Sequence, residues 1–208
     1  MKKTKRSKKS RSWVIKQHRD QFYKKSKTLG YRSRSSFKLI ELNQKFKFLK
    51  NNTFLLDIGS SPGGWSQIAS QKIKKGKIVS IDIKDMEKVE NVKFIKCNFL
   101  EDNSKRKILG EFKGKLDVVI SDMAASTTGN KNLDCIRTNH LCFEVIQFAS
   151  DILKNKGKLI SKLFMGEDFL QVKTLAKEKF EKVEFFKPES SRNESKETYI
   201  HCSSLKTL

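Results

Sequence analysis

Lys162 lies inside the apolar run Leu159-Ile160-Ser161-Lys162-Leu163-Phe164. A lysine there is costly unless its ammonium reaches a partner or gives up its proton. Two acids stand at comparable positions: Asp122 ends the run Val119-Ile120-Ser121-Asp122, and Glu197 opens Glu197-Thr198-Tyr199. Lys38 falls in the first turn of a helix predicted from Ser35 or Ser36, as cap, to about Phe46. A cation at that end opposes the helix dipole, which favours a functional reason for it. Lysines and carboxylates brought together can hold a hydroxyl and move its proton. These four are far apart in sequence, so they can act together only if strand ends converge.

A second group of residues points to a ligand. Leu55-Leu56-Asp57-Ile58-Gly59-Ser60-Ser61-Pro62-Gly63-Gly64-Trp65-Ser66 reads as a buried strand, a glycine turn at Gly59, Gly63 and Gly64, and a helix start at Trp65. Such a turn in an α/β sheet is where nucleotide-like ligands bind, beside the free N–H groups of the helix. Asp82 follows a second strand, 19 residues after Gly63, where a carboxylate can accept two hydrogen bonds from a ribose diol. Asn98 ends a third strand, where its side chain would face an adenine edge. The turn lacks the GxGxxG spacing of dinucleotide folds, and no Gly-Lys-Ser/Thr follows it as in a P-loop. A nucleoside without a phosphate chain fits better, and S-adenosyl-L-methionine is the candidate cofactor.

The elements that must position these residues alternate. Strands are predicted at 53–58, 77–83, 92–97, 116–121, 158–164, 182–187 and 197–203, and helices at 65–72, 101–111, 133–154 and 168–180. Gly157 reads as the stop after the third of these helices. Alternation implies an α/β fold, Rossmann-like: a seven-stranded, mainly parallel sheet with helices on both faces. No helix separates the last two strands, so the final one is expected to run antiparallel. Glu197 then starts at the edge where Asp122 and Lys162 finish, and ligands bind beyond that edge.

The 208 residues suit one domain with a short appendage. Their formal charge is +22, unevenly placed: Met1 to Arg34 hold fourteen Lys and Arg against the single acid Asp20. That segment therefore carries +13 and the other 174 residues +9. A basic segment with interleaved Trp13, Phe22, Tyr23 and Tyr31 suits RNA, since neutralised phosphates release counterions and bases stack on aromatic rings. Phe22 or Trp13 equally suits anchoring this segment to the core, and Met1 to Ser12 is expected to be disordered when free. Residues 1–34 are read as a basic RNA-binding extension and 35–208 as the catalytic domain. No apolar run approaches the roughly 20 residues of a membrane span, and no secretory h-region follows the basic start. Cys97, Cys135, Cys142 and Cys202 form no CxxC pair and no zinc pattern, so ordinary reduced thiols are expected. A cytoplasmic protein follows.

Taken together, Tyr31-Arg32-Ser33-Arg34-Ser35-Ser36-Phe37-Lys38-Leu39, Asp57 to Gln67, Ser121-Asp122-Met123-Ala124, Ser161-Lys162-Leu163-Phe164 and Ser195-Lys196-Glu197-Thr198-Tyr199 resemble the FtsJ/RrmJ family of S-adenosylmethionine-dependent RNA 2′-O-ribose methyltransferases. The likeness covers residues 13–203. It implies a catalytic Lys-Asp-Lys-Glu tetrad, falling here on Lys38, Asp122, Lys162 and Glu197, and cofactor contacts at Gly63, Trp65, Asp82, Asn98 and Asp122. One departure is Cys97-Asn98-Phe99 where the family has Gly-Asp-Phe: Asn keeps a carbonyl acceptor and loses the charge. With no long added domain, the chain looks most like the bacterial ribosomal type, whose substrate is a uridine in the A-loop of large-subunit (23S) ribosomal RNA on an assembled 50S particle. Lys162 is then the expected general base, with no metal required, and a monomer is expected. The competing readings are the same chemistry on transfer RNA or an mRNA cap, and an inactive RNA-binding assembly factor.

Overall fold

A computed structural model describes residues 20–206; Trp13 and the segment Met1 to Ser12 lie outside the described residues. Among the described residues, six helices and seven strands follow in chain order. They are α1 (Gln21–Thr28), α2 (Ser35–Phe46), β1 (Phe54–Ile58), α3 (Gly64–Lys72), β2 (Lys77–Asp82), β3 (Val92–Lys96), α4 (Asp102–Gly110), β4 (Leu116–Ser121), α5 (Lys131–Ile152), β5 (Leu153–Phe164), α6 (Phe169–Lys179), β6 (Phe180–Phe186) and β7 (Glu197–Leu205).

The strands form one sheet in the order β3-β2-β1-β4-β5-β7-β6. β1 to β5 pair in parallel, and β7 runs antiparallel to both β5 and β6. The strand order reverses between β1 and β4, which makes their carboxyl ends the switch point where ligands bind in such sheets.

Both faces are buried, so alternate residues feed two separate cores. Leu56, Ile58, Val79, Ile81, Val119, Leu159 and Ile200 face α5 and α6, packing on Val145, Ile146, Ala149 and Ala176. Leu55, Ile78, Val118, Ile120, Ile160 and Tyr199 face α2 and α3, packing on Leu39, Leu42, Trp65 and Ile68. This alternation fixes where the functional side chains point. Lys162 follows Ile160 in parity, Asp122 follows Ile120 and Glu197 precedes Tyr199, so all three turn to the side of the sheet that α2 covers.

Three local features differ from the sequence expectation. α1 was not expected: Asp20 caps it by accepting from the Phe22 and Tyr23 N–H groups, and Phe22 then packs on Phe37 of α2 with ring centroids 5.4 Å apart. α2 begins at Ser35 after Arg34, with no side-chain cap. β5 begins at Leu153 rather than 158, because a register shift between Leu116 and Val118 lets Leu153 pair ahead of a bulge. Gly157 therefore lies in that bulge instead of stopping a helix. α5 ends at Ile152. All four cysteines are free. Among the described residues no helix is long and apolar enough to cross a membrane.

Candidate active site

β1, β2, β3 and β4 deliver their carboxyl ends to a cleft of about 620 Å³, lined by Gly59, Ser61, Asp82, Ile83, Asn98, Phe99, Asp122, Met123 and residues of α5. That size suits a nucleoside cofactor. Gly59 has φ +78° and lies against Met123, whose Cγ would be 2.2 Å from an added Cβ, so only glycine lets the turn approach the β4 loop. The Gly59 and Ser60 N–H groups both donate to the Ile81 carbonyl (2.9 and 3.0 Å), tying the turn to β2. Asp82 braces the same turn: its Oδ2 accepts from the Ser61 N–H at 2.9 Å and its Oδ1 from the Lys84 N–H at 2.8 Å.

The expected cofactor residues divide. Gly59, Asp82, Asn98 and Asp122 line the cleft. Gly63, Gly64 and Trp65 are not among its lining residues: a Cβ on Gly63 would meet Arg32 and Met86, and one on Gly64 would meet Ser33 and Ser36. Trp65 is buried, its indole N–H donating 2.9 Å to the Ser35 carbonyl at the start of α2. Asn98 is occupied locally, accepting from the Leu100 N–H (3.2 Å) and donating to Glu101 (3.3 Å).

Beside the cleft the four predicted residues come together as two ion pairs. Lys162 Nζ lies 3.0 Å from Asp122 Oδ1 and donates to the Asp122 carbonyl at 2.9 Å. Lys38 Nζ lies 2.6 Å from Glu197 Oε1, which also accepts from the Ser191 hydroxyl at 2.8 Å. Lys38, Lys162 and Glu197 are each only 8% exposed, so these charges need their partners. Glu197 also answers the dipole conflict of Lys38 at the start of α2.

Tyr199, not singled out from its position, links the two pairs. It is the β7 neighbour of Lys162, its hydroxyl donates 2.7 Å to Asp122 Oδ1, and Lys38 Nζ sits 5.9 Å over its ring. Burial, with Asp122 and Glu197 nearby, pushes its phenol well above the ordinary value, so it stays a donor. Burial alone would raise the Asp122 carboxyl, but Lys162, Lys38 and the Tyr199 hydroxyl together hold it below the ordinary value. The signal was present: Glu197 and Tyr199 are two apart on one strand and therefore share a face.

Two further residues were missed. Asp57, beneath the turn, is 1% exposed. Its Oδ2 accepts from the Ser66 hydroxyl at 2.6 Å, and its Oδ1 has no partner. Burial, reinforced by Asp122 and Asp82, raises it to about 7 against the opposing Ser66 bond. Asp20 pairs with Arg34 at 2.9 Å and Arg192 at 3.5 Å, fastening α1 to the segment that leads into Glu197. Among the described residues no group of His, Cys, Asp and Glu is placed to hold a metal.

A switch-point cleft flanked by two buried lysines and the partly buried Asp122, on a seven-stranded sheet with an antiparallel final strand, fits a Rossmann-like S-adenosylmethionine-dependent methyltransferase. The family model of FtsJ-like methyltransferases matches residues 31–205, and the chain belongs to that family. It is 46% identical over 197 residues to ribosomal RNA large subunit methyltransferase E of Pelagibacter ubique, covering 95% of this chain and 97% of the relative. It is 41% identical to the protein of the same name in Rickettsia akari, covering 94% and 89%. A Plasmodium falciparum crystal structure assigned as a ribosomal RNA methyltransferase superposes with a TM-score of 0.76 at 34% identity, covering 84% of this chain and 98% of that one. The human methyltransferase-like protein 13, solved with S-adenosylhomocysteine, shares the fold at 16% identity and a TM-score of 0.58, over 81% and 79% of the two chains. The cofactor is S-adenosyl-L-methionine.

Proposed function

We propose that this protein methylates the ribose 2′-oxygen of a uridine in the A-loop of large-subunit (23S) ribosomal RNA, on an assembled 50S particle. The relatives' names support the RNA class. The observation that carries the reaction is the pair of buried Lys–carboxylate contacts, joined by Tyr199, on the rim of the cofactor cleft.

The cofactor supplies a methyl group on a sulfonium, already a good electrophile. What remains for the chain is to position a ribose hydroxyl in line and take its proton. Lys162 directs N–H bonds at the Asp122 carbonyl and carboxylate. In the neutral amine those two bonds leave the lone pair free to accept the hydroxyl proton as the carbon–oxygen bond forms. Asp122 lines the cleft as well, so it fixes Lys162 relative to the methyl donor. Lys38, held by Glu197, is placed to orient the 2′-oxygen. The products are a methylated ribose, a protonated Lys162 and a neutral thioether.

Residues 1–34 grip RNA through their excess of cations, with the domain from residue 35 doing the chemistry; the active species is a cytoplasmic monomer. The test is transfer of a labelled methyl group to 50S particles and to transfer RNA, followed by mapping of the modified nucleotide. Label on a 2′-oxygen of the A-loop is expected; label on transfer RNA alone, or on a base, would overturn the reading. Lys162→Ala should bind cofactor and lose transfer by roughly 10²-fold or more. Lys162→Arg should fail too, because guanidinium keeps its proton.

A further inference from the structure

Arg32 belongs to the basic extension, yet its guanidinium is spent on the protein's own backbone carbonyls. Nη1 donates to the Glu87 carbonyl at 2.6 Å and reaches the Pro62 carbonyl at 3.4 Å, while Nη2 donates to the Lys88 carbonyl at 2.6 Å. These carbonyls lie on two different segments. Pro62 is in the cofactor turn, and Glu87 and Lys88 are in the loop that follows Asp82 between β2 and β3. The Arg32 backbone is fastened as well: its N–H donates 3.0 Å to Gln67 of α3, and Gln67 Nε2 donates 2.9 Å to the Gly30 carbonyl. Gly63 fits the arrangement, since a Cβ there would stand 2.8 Å from Arg32 Nη1 and 3.0 Å from Met86 Sδ.

We infer that Arg32 is a positioning residue for S-adenosylmethionine: it sets the spacing between the Gly59–Gly64 turn and the loop after Asp82, and so the width of the cofactor cleft. Gly59 and Ser61 of the turn line that cleft, as do Asp82, Ile83 and Lys84 at the start of the loop. Besides Arg32, side-chain ties join the turn to the end of β2 and its loop: the Ser60 hydroxyl to the Ile81 carbonyl (3.2 Å), Asp82 Oδ2 to the Ser61 N–H, and the Ser61 hydroxyl to the Asp85 carbonyl (3.1 Å). Arg32 braces both segments and is not among the residues that line the cleft. The planar fork is required, because one guanidinium must meet carbonyls of successive residues at once; an ammonium presents its donors from a single nitrogen. Arg32 therefore acts on the cofactor side, although composition places it among the RNA-gripping cations.

Arg32→Lys separates the two roles, since it keeps the charge and loses the fork. The expected result is a KM for S-adenosylmethionine raised about tenfold, the scale of one missing charge-assisted hydrogen bond. At saturating cofactor kcat should be nearly unchanged, and the salt dependence of RNA binding should match wild type. Cofactor-induced thermal stabilisation provides a readout that needs no RNA, so it stands even if the RNA substrate is misassigned. Gln67→Met, which frees the Arg32 N–H and the Gly30 carbonyl but keeps the guanidinium, should raise the cofactor KM in the same direction by less, and it decides the matter if Arg32→Lys does not fold. Unchanged cofactor affinity in a folded Arg32→Lys protein, or in Gln67→Met when that is the variant that folds, would overturn the inference. So would weaker RNA binding in Arg32→Lys with cofactor affinity intact.

Discussion

The two buried ion pairs are better explained by chemistry than by stability. A buried pair gains little net free energy over an apolar replacement, because both ions lose their water. Here Lys38 and Lys162 face Glu197 and Asp122, and the Tyr199 hydroxyl removes one lone pair of Asp122 from competition. Asp57 is the residue whose charge costs the fold. Its folded pKa of about 7 lies above the unfolded value near 3.9, so between these values the folded state binds more protons than the unfolded state. Stability from this group is therefore lost as pH rises from about 4 to 7, by up to ~4 kcal/mol on the scale of 1.36 kcal/mol per unit. Asp57→Asn does not titrate. Denaturant unfolding across that range should show the difference between variant and wild type moving in the variant's favour as pH rises. Parallel pH profiles would show that Asp57 does not titrate there.

At the scale of elements, β5 does most of the positioning. It carries Lys162, pairs with β4 on one side and β7 on the other, and ends where the chain leaves the sheet. Asn139 of α5 closes that end, donating 3.0 Å to the Phe164 carbonyl and accepting 2.8 Å from the Phe164 N–H. Its side chain thus imitates a neighbouring strand two residues past Lys162. Asn139→Ala would leave two backbone groups without partners, costing about 1–3 kcal/mol for each that stays buried. A lowered melting temperature and faster hydrogen exchange at the Phe164 amide are expected; unchanged exchange would mean that the pairing contributes nothing.

At the scale of the molecule, charge and packing divide the extension. Residues 20–34 dock through Asp20, Phe22 and Tyr31, and spend Arg32 and Arg34 internally; Arg34 also donates to the Ser190 carbonyl. Residues 1–19 hold nine Lys and Arg and no acid. Their removal should weaken RNA binding while leaving cofactor affinity intact. The slope of log K against log salt should fall by roughly 0.7–0.9 for each phosphate that is no longer neutralised. Measured binding across a salt series checks this, and an unchanged slope would place the RNA grip elsewhere.

What the sequence determined by itself was order and parity. Apolar alternation set seven strands, and because successive side chains point to opposite faces, the parity of Ile120, Ile160 and Tyr199 already sent Asp122, Lys162 and Glu197 to one side. The glycine turn and Asp82 marked the cleft for the same reason: they are local patterns at strand ends. Tertiary structure decided what depends on distant partners. The bulge in β5 exists because Leu153 finds Leu116; Asn98 spends its amide on Leu100 and Glu101; α1 is held by Phe37 and by arginines up to 172 residues away. Above all, Arg32 looks in sequence like one more cation for RNA. Only the meeting of two loops, brought together by the sheet, gives its guanidinium three carbonyls and turns it toward the cofactor.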